Sequence, residues 1–276
     1  MFDNPTSSSP LPLDGIPLDR PSVARLYDYL LGGYHNFEID RQVGARFTAV
    51  YPDFPLTAQV NRAFLRRALE YVANQGIDQY LDLGSGIPTS GNVHEIVVRR
   101  NPDAHVVYVD IDPIAIAHSE AILEGNTNVA AILGDLSDAE AILAHPKVTG
   151  LIDFSRPMCL IILAAIHFVP DRERAVHAVE TYKRALAPGS YLIMGVWTFD
   201  DVPDYALAQY EQLTRAVSTP GRPHSRAEVE SYFTGLELIE PGLVHSPSWR
   251  PDAPDGLMTD DPGRCLTWVG VARKPK

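Results

Sequence analysis

Three acids recur at comparable places in the chain. Asp82 lies in Asp82-Leu83-Gly84-Ser85-Gly86, Asp110 follows 24 residues after Gly86, and Asp135 lies in Gly134-Asp135-Leu136. Glycines at 84 and 86 let the backbone turn tightly and approach a ligand without a Cβ clash. A dinucleotide turn of the GxGxxG type needs a third glycine at position 89, where Thr89 stands, and the run continues through Ile87-Pro88. A carboxylate beside the turn would also repel a pyrophosphate, whereas it suits a cation. An acid that ends the second strand can accept both hydroxyls of a ribose. An acid after the third strand can accept from an exocyclic amine, while a neighbouring amide reads a ring nitrogen. A cationic amino-acid tail, a ribose and an adenine amine together describe S-adenosylmethionine. Its expected contacts are Asp82, Gly84, Ser85, Gly86, Asp110, Ile111, Asp135 and Leu136.

Chemistry beyond the cofactor is less well marked. His167 follows the apolar run Met158–Ile166. Methyl transfer needs a base only where the acceptor must lose a proton; neutral His167 suits that role, and it equally suits a packing histidine with local hydrogen bonds. Tyr29, Gly33, Tyr34 and His35 lie in an N-terminal segment that could close over the cofactor, an aromatic ring facing the sulfonium. Arg62, Arg66 and Arg67, like Arg99 and Arg100, read as solvated helix faces, and Trp249 and Trp268 as packing. The two cysteines, Cys159 and Cys265, form no CxxC pair, and no metal-binding pattern occurs.

Positioning these residues requires alternating strands and helices. Pro5, Pro10, Pro12 and Pro17 mark 1–20 as a loose leader. Residues 21–75 read as three helices: one carrying Val23, Leu26, Tyr27 and Leu30 and broken by Gly32-Gly33, one over 39–50, and one over 57–74. From 76 the pattern changes. Strands are expected at 80–83, 106–109, 129–133, 158–166 and 191–197; helices at 92–100, 113–123, 138–143, 171–186 and 204–217. Such alternation implies a parallel sheet with helices on both faces. Two final strands, 236–244 and 266–272, lack a crossover helix and read as an antiparallel pair at the sheet edge.

Composition bounds the rest. The chain has 276 residues, with 23 Lys and Arg against 35 Asp and Glu, a net charge of −12. That balance opposes nonspecific attraction to nucleic acid or anionic membrane. The longest apolar stretch has nine residues, against about twenty for a membrane helix. With no signal-peptide pattern, a cytoplasmic location is expected.

The spacing Asp82, Gly86, Asp110, Asp135 resembles the class I methyltransferase motifs strand by strand. Arg25-Leu26-Tyr27-Asp28-Tyr29-Leu30-Leu31-Gly32-Gly33, with Asn36-Phe37 and Asp40-Arg41, is similar to the signature of the SAM-dependent methyltransferase family formerly called DUF574. So are Gly86-Ile87-Pro88-Thr89-Ser90-Gly91-Asn92-Val93-His94-Glu95 and the late loop Trp249-Arg250-Pro251-Asp252. Tyr34-His35 stand where the family pattern has Lys-Asp. The resemblance implies an α/β class I (Rossmann-like) fold, a seven-stranded, mostly parallel sheet with an antiparallel terminal strand. It further implies SAM binding and supplies no defined acceptor. With the helical pattern above, the expectation is an N-terminal helical cap at 21–75, a SAM-binding methyltransferase domain at 76–276, and methyl transfer to a small-molecule or protein acceptor. Alternatives are a SAM- or SAH-binding sensor without turnover and, more remotely, an NAD-dependent oxidoreductase.

Overall fold

Period-two alternation along the early strands sorts side chains to the two faces of one sheet. The computed structural model describes residues 20–88, 91–200, 202, 207–209, 212 and 220–276. Its strands are β1 (Gln79–Leu83), β2 (His105–Asp110), β3 (Val129–Leu133), β4 (Cys159–Leu163), β5 (Tyr191–Trp197), β6 (Glu237–Leu238), β7 (Val244–His245) and β8 (Thr267–Arg273). They run in the order β3-β2-β1-β4-β5-β8-β6, with β7 also paired to β8. β1 to β5 are mutually parallel, and β8 lies antiparallel between β5 and β6. The strand order reverses between β1 and β4, which places the ligand crevice of such a sheet at their carboxyl ends.

On one face, Leu81, Leu83, Val107 and Val109 pack beneath α6 (Ala139–Ala144), α7 (Pro146–Leu151) and α8 (Arg172–Ala185). On the other, Tyr80, Val106, Tyr108 and Ile161 pack against α3 (Phe54–Ala73), α4 (Val93–Val97) and α5 (Pro113–Ile122). Asp82 and Asp110 have the parity of Tyr80 and Tyr108, so they belong to the α3 face.

The structure departs from the sequence reading in a few places. The sheet has eight strands rather than seven, because the expected strand 236–244 is broken at a turn where Gly242 N–H bonds Ile239 O; only its two ends pair with β8. β4 stops at Leu163, since Ala164 takes a positive φ of 54° and a 3-10 turn follows at Ile166–Phe168. α4 is shorter than expected, although its Asn92–Glu95 capping box forms. α7 and the helix Arg226–Tyr232 were not anticipated; His145 caps the first, with Pro146 at its start, and a Ser225–Glu228 box caps the second. Residues 1–19 of the leader and most of the helix expected at 204–217 lie outside the described residues.

The N-terminal segment comprises α1 (Val23–Leu30), α2 (Glu38–Val50) and α3. Leu26, Leu30, Val43, Phe47 and Ala58 bury against Trp197 and Leu266. α3 is shared, because its Phe64, Leu65, Leu69 and Val72 belong to the sheet's own layer. A fully buried ion pair, Arg25 Nε to Asp40 Oδ2 at 2.8 Å, joins α1 to α2. Asp40 also accepts from Ser22 N and Phe37 N, both at 2.9 Å. Ser22 Oγ donates to Asp112 at the start of α5, which latches the segment onto the sheet domain. Among the described residues no helix is long and apolar enough to cross a membrane, and no group of three metal-ligating side chains occurs. Cys159 and Cys265 are both buried.

Candidate cofactor and substrate site

A cavity of about 620 Å³ opens at the carboxyl ends of β1, β2, β3 and β4 and is roofed by α1 and α3. Its walls include every expected cofactor contact: Asp82, Gly84, Ser85, Gly86, Asp110, Ile111, Asp135 and Leu136. The sequence could place these residues only on separate strands; the fold brings them round one space.

The glycine turn is built by close approach. Gly84 has φ +73°, and a Cβ there would lie 2.3 Å from the Cβ of Ala165, where the turns after β1 and β4 touch. Gly84 N–H and Ser85 N–H both bond Val109 O, at 2.8 and 3.1 Å. Asp110 locks the turn from the neighbouring strand: its Oδ2 accepts from Gly86 N at 2.7 Å and its Oδ1 from Asp112 N at 2.8 Å. Gly86, with φ +67°, has no neighbouring atom within 4 Å of where a Cβ would stand. Burial pushes the Asp110 carboxyl above its ordinary range, against the pull of those amides.

Asp82 differs from Asp110. No hydrogen bond from a described residue reaches its carboxylate. Burial pushes it up from 3.8 to about 7, with the Arg62 guanidinium pulling it down and the Asp110 charge pushing it up. Arg62 extends from α3 into the same cavity, and its Nε is buried with no partner. The Ser85 hydroxyl is likewise buried and unpartnered. An acid that no described residue hydrogen-bonds, a guanidinium that lies over the Tyr27 ring but leaves its Nε unpaired, and an unpartnered hydroxyl share one cavity and form a set that fits a zwitterionic amino-acid tail. Arg62 is the candidate ligand-binding residue that the sequence reading placed on a solvated face. A signal was present, since Ala58, Asn61, Arg62 and Leu65 share the i, i+3, i+4, i+7 stripe that faces the cavity, whereas Arg66 and Arg67 do not. Arg67 is not solvated, donating to Trp249 O and Ser246 O, both at 2.9 Å, whereas Arg66 stays on the exposed face and pairs there with Glu70 and Asp252.

At the β3 end, Asp135 Oδ1 accepts from Ser137 N at 2.8 Å and Ser137 Oγ at 2.6 Å, and Oδ2 lies 3.4 Å from Arg174. Leu136 packs toward Gly84, and Ile111 is largely exposed at the cavity rim. His167 lines the cavity but is almost wholly buried, and burial, with His224 beside it, pushes it from 6.5 down to about 3.

The cap residues expected over the cofactor lie elsewhere. Tyr29 packs against Gly44 and borders a separate surface groove, and Tyr34 is 93% exposed. His35 meets the ring of His118, centroids 4.2 Å apart, and its N–H bonds Asp28. A Cβ on Gly33 would run into the Asp28 carboxylate, so this glycine serves the cap's own fold. The helical period explains the difference: Leu26, Tyr27 and Leu30 take the cavity face of α1, which turns Tyr29 away. Trp249 is fully buried against Phe64 and Tyr71, while Trp268 stacks on His245.

The sequence matches the S-adenosyl methyltransferase family over residues 12–275. A solved protein of Thermobifida fusca YX, provisionally described as a methyltransferase, is 39% identical over 97% of this chain and 100% of its own, with a TM-score of 0.89. A DUF574 family protein from Streptomyces avermitilis MA-4680 is 36% identical over 94% of this chain and 99% of its own, with a TM-score of 0.87. An O-methyltransferase family protein from Burkholderia thailandensis, 13% identical over 90% of this chain and 64% of its own, has a TM-score of 0.50 and shares the fold alone. No protein of curated function matches.

Proposed function

Because the chain belongs to the S-adenosyl methyltransferase family, whose cofactor is S-adenosylmethionine, we propose that it transfers the methyl group of that cofactor to a small molecule bound in the cavity beneath α1 and α3. The carrying observation is the convergence of the buried Asp82 carboxylate, the Arg62 Nε and the Ser85 hydroxyl, none hydrogen-bonded by a described residue, beside the Gly84–Gly86 turn.

The residues divide the cofactor among them. Asp82 receives the ammonium of the amino-acid tail; Arg62 and the Ser85 hydroxyl receive its carboxylate. Asp110 keeps a lone pair on each oxygen for the ribose hydroxyls after accepting the Gly86 and Asp112 amides. Ile111 and Leu136 flank the adenine, and the Asp135 oxygen opposite Ser137 accepts its amine. When bound, the cofactor supplies an electrophilic methyl on a sulfonium. The chain's own work is to hold the acceptor in line with that methyl and to keep water out. Nothing in the site favours the sensor or nicotinamide readings.

Calorimetric titration with S-adenosylhomocysteine and, separately, with NAD tests this reading. One-to-one binding of the former is expected. At ~100 times the dissociation constant it adds about 2.7 kcal/mol to stability, a rise of a few degrees in Tm at this size. Binding of NAD alone would end the proposal. Incubation with methyl-labelled cofactor and small-molecule extracts then tests turnover; label entering only macromolecules would overturn the small-molecule assignment.

A further inference from the structure

His167 lines the cavity beside Phe168 and Trp197, with Phe54 in the same wall, and its hydrogen bonding fixes what it offers there. Trp197 N–H donates to Nδ1 at 3.3 Å. A neutral imidazole that accepts at Nδ1 carries its proton on Nε2. The surroundings keep it neutral: Phe168 and Trp197 flank the ring, centroids 4.3 and 5.8 Å away. The backbone carbonyl of His167 accepts from Arg222 N, and His224 N–H bonds Trp197 O. Among the described residues the charged or titratable neighbours are thus Arg222 and His224, and no described carboxylate faces the ring to stabilise an imidazolium. Nδ1 being spent, Nε2–H is the polar edge left for the cavity.

A donor of this kind selects among nucleophiles. An attacking amine commits its single lone pair to the methyl carbon and presents only N–H groups, which a donor cannot satisfy. An anionic oxygen attacks with one lone pair and accepts a hydrogen bond with another. The walls select a flat ring: Phe47 and Phe54 stack with centroids 4.9 Å apart, and Phe54 meets Trp197 at 6.4 Å. We propose that the methyl acceptor is a hydroxyarene bound as its phenolate, with the His167 Nε2–H donating to the phenolate oxygen. The phenol proton leaves to solvent on binding. The oxygen then forms the O–CH3 bond as the S–CH3 bond breaks, sulfur keeps the electron pair, and the opposite charges cancel in an ether and a thioether. This proposal rests on the cofactor reading above.

The probe is 4-nitrophenol, whose phenolate is chromophoric, titrated into protein saturated with S-adenosylhomocysteine, with 4-nitroaniline and nitrobenzene as ring-matched controls. Expected is saturable binding of the phenolate, an apparent phenol pKa lowered by about one unit or more (tenfold in affinity for the anion), and weaker 4-nitroaniline binding. His167→Phe should lose at least about tenfold in phenolate affinity and leave nitrobenzene unchanged; His167→Gln, which keeps an N–H donor, should recover part of it. Binding of S-adenosylhomocysteine by each variant is the folding control. Nitrogen-15 histidine spectra of the wild-type protein provide a second readout independent of any variant: His167 should hold its proton on Nε2 with no titration from pH 5 to 9. A proton on Nδ1, a midpoint near 6.5, or equal affinity for 4-nitrophenolate and 4-nitroaniline would overturn the proposal. If S-adenosylhomocysteine itself fails to bind, the cofactor reading falls; if it binds and 4-nitrophenol does not, only the acceptor assignment falls.

Discussion

Asp82 is held in the folded chain at a cost that a cationic ligand removes. Its carboxyl rises to about 7, chiefly through burial, while the unfolded chain titrates near 3.8. Between those values the native state binds more protons than the unfolded state, so this group's contribution to stability falls as pH rises from about 4 through 7. Asp82→Asn should therefore have the same Tm as wild type near pH 4 and a higher Tm at pH 8, read by scanning calorimetry. The same variant should lose at least about tenfold in S-adenosylhomocysteine affinity at pH 8, since truncating one partner of a buried charge pair costs about 2–5 kcal/mol. Wild-type affinity should rise between pH 6 and 8 as Asp82 ionises. Arg62→Met should weaken binding similarly. His167 and His224 work in the opposite sense, pushed by burial to about 3 and about 4. Unfolded histidines take protons below about 6.5, so stability from these two is present above that pH and lost as it falls. His167→Gln should flatten the decline of Tm below pH 6.5, and an unchanged slope would refute the assigned neutral state.

Elements were the most legible level, and their limits were set by local chemistry. β3 and β5 have the bounds read from sequence, because β-branched and apolar runs between turn residues admit no other reading. β4 stops short because Ala164 adopts a positive φ, which a run of apolar residues does not announce. The Gly84 turn is both legible and demanding. Gly84→Ala meets a positive φ, worth about 1–3 kcal/mol, and overpacking against Ala165, worth about 1–3 kcal/mol more. Chemical denaturation should show a loss within the sum of those ranges, whereas Gly86→Ala, with open space around its Cβ, should show only the backbone part. The family signature in α1 and α2 is structural at this level: Arg25, Asp28 and Asp40 are buried, and two of them pair with each other. Their spacing marks the family, yet their work is to hold the cap that carries Leu26 and Leu30 to the cavity.

At the scale of the molecule, α1 and α2 rest on the sheet through an aromatic cluster and several polar contacts. Among these are Ser22 to Asp112, the His35–His118 ring contact and Tyr51 Oη donating to the Arg264 carbonyl. The buried Arg25–Asp40 pair and the Ser22–Asp112 bond connect them to the start of α5, two residues beyond Asp110. Breaking a buried pair by removing one partner costs about 3–5 kcal/mol. Arg25→Met should release the cap first: trypsin should cut at Arg41 and Arg46 before any bond in the sheet, and hydrogen exchange should rise in α1 and α2 while β1 to β5 stay protected. Cofactor should slow that cleavage in the wild-type protein, because the roof and Asp110, the acid proposed for the ribose, share the Asp110–Asp112 turn. Equal cleavage of wild type and variant would show that the latch does not hold the cap.

By itself the sequence determined the order of the first five strands and of most helices between them, the family, the acids at the strand ends and the glycine turn. These depend on period, on turn chemistry and on residues within a few positions of each other. The tertiary structure decided which side chains meet. Only packing of α3 on the Tyr80–Tyr108 face brings Arg62 toward Asp82, only the rotation of α1 turns Leu26 inward and Tyr29 outward, and only the approach of β5 to the turn after β4 fixes the proton on His167. Contacts between residues far apart in sequence depend on how helices and strands seat against one another, and that geometry is settled by the whole core at once.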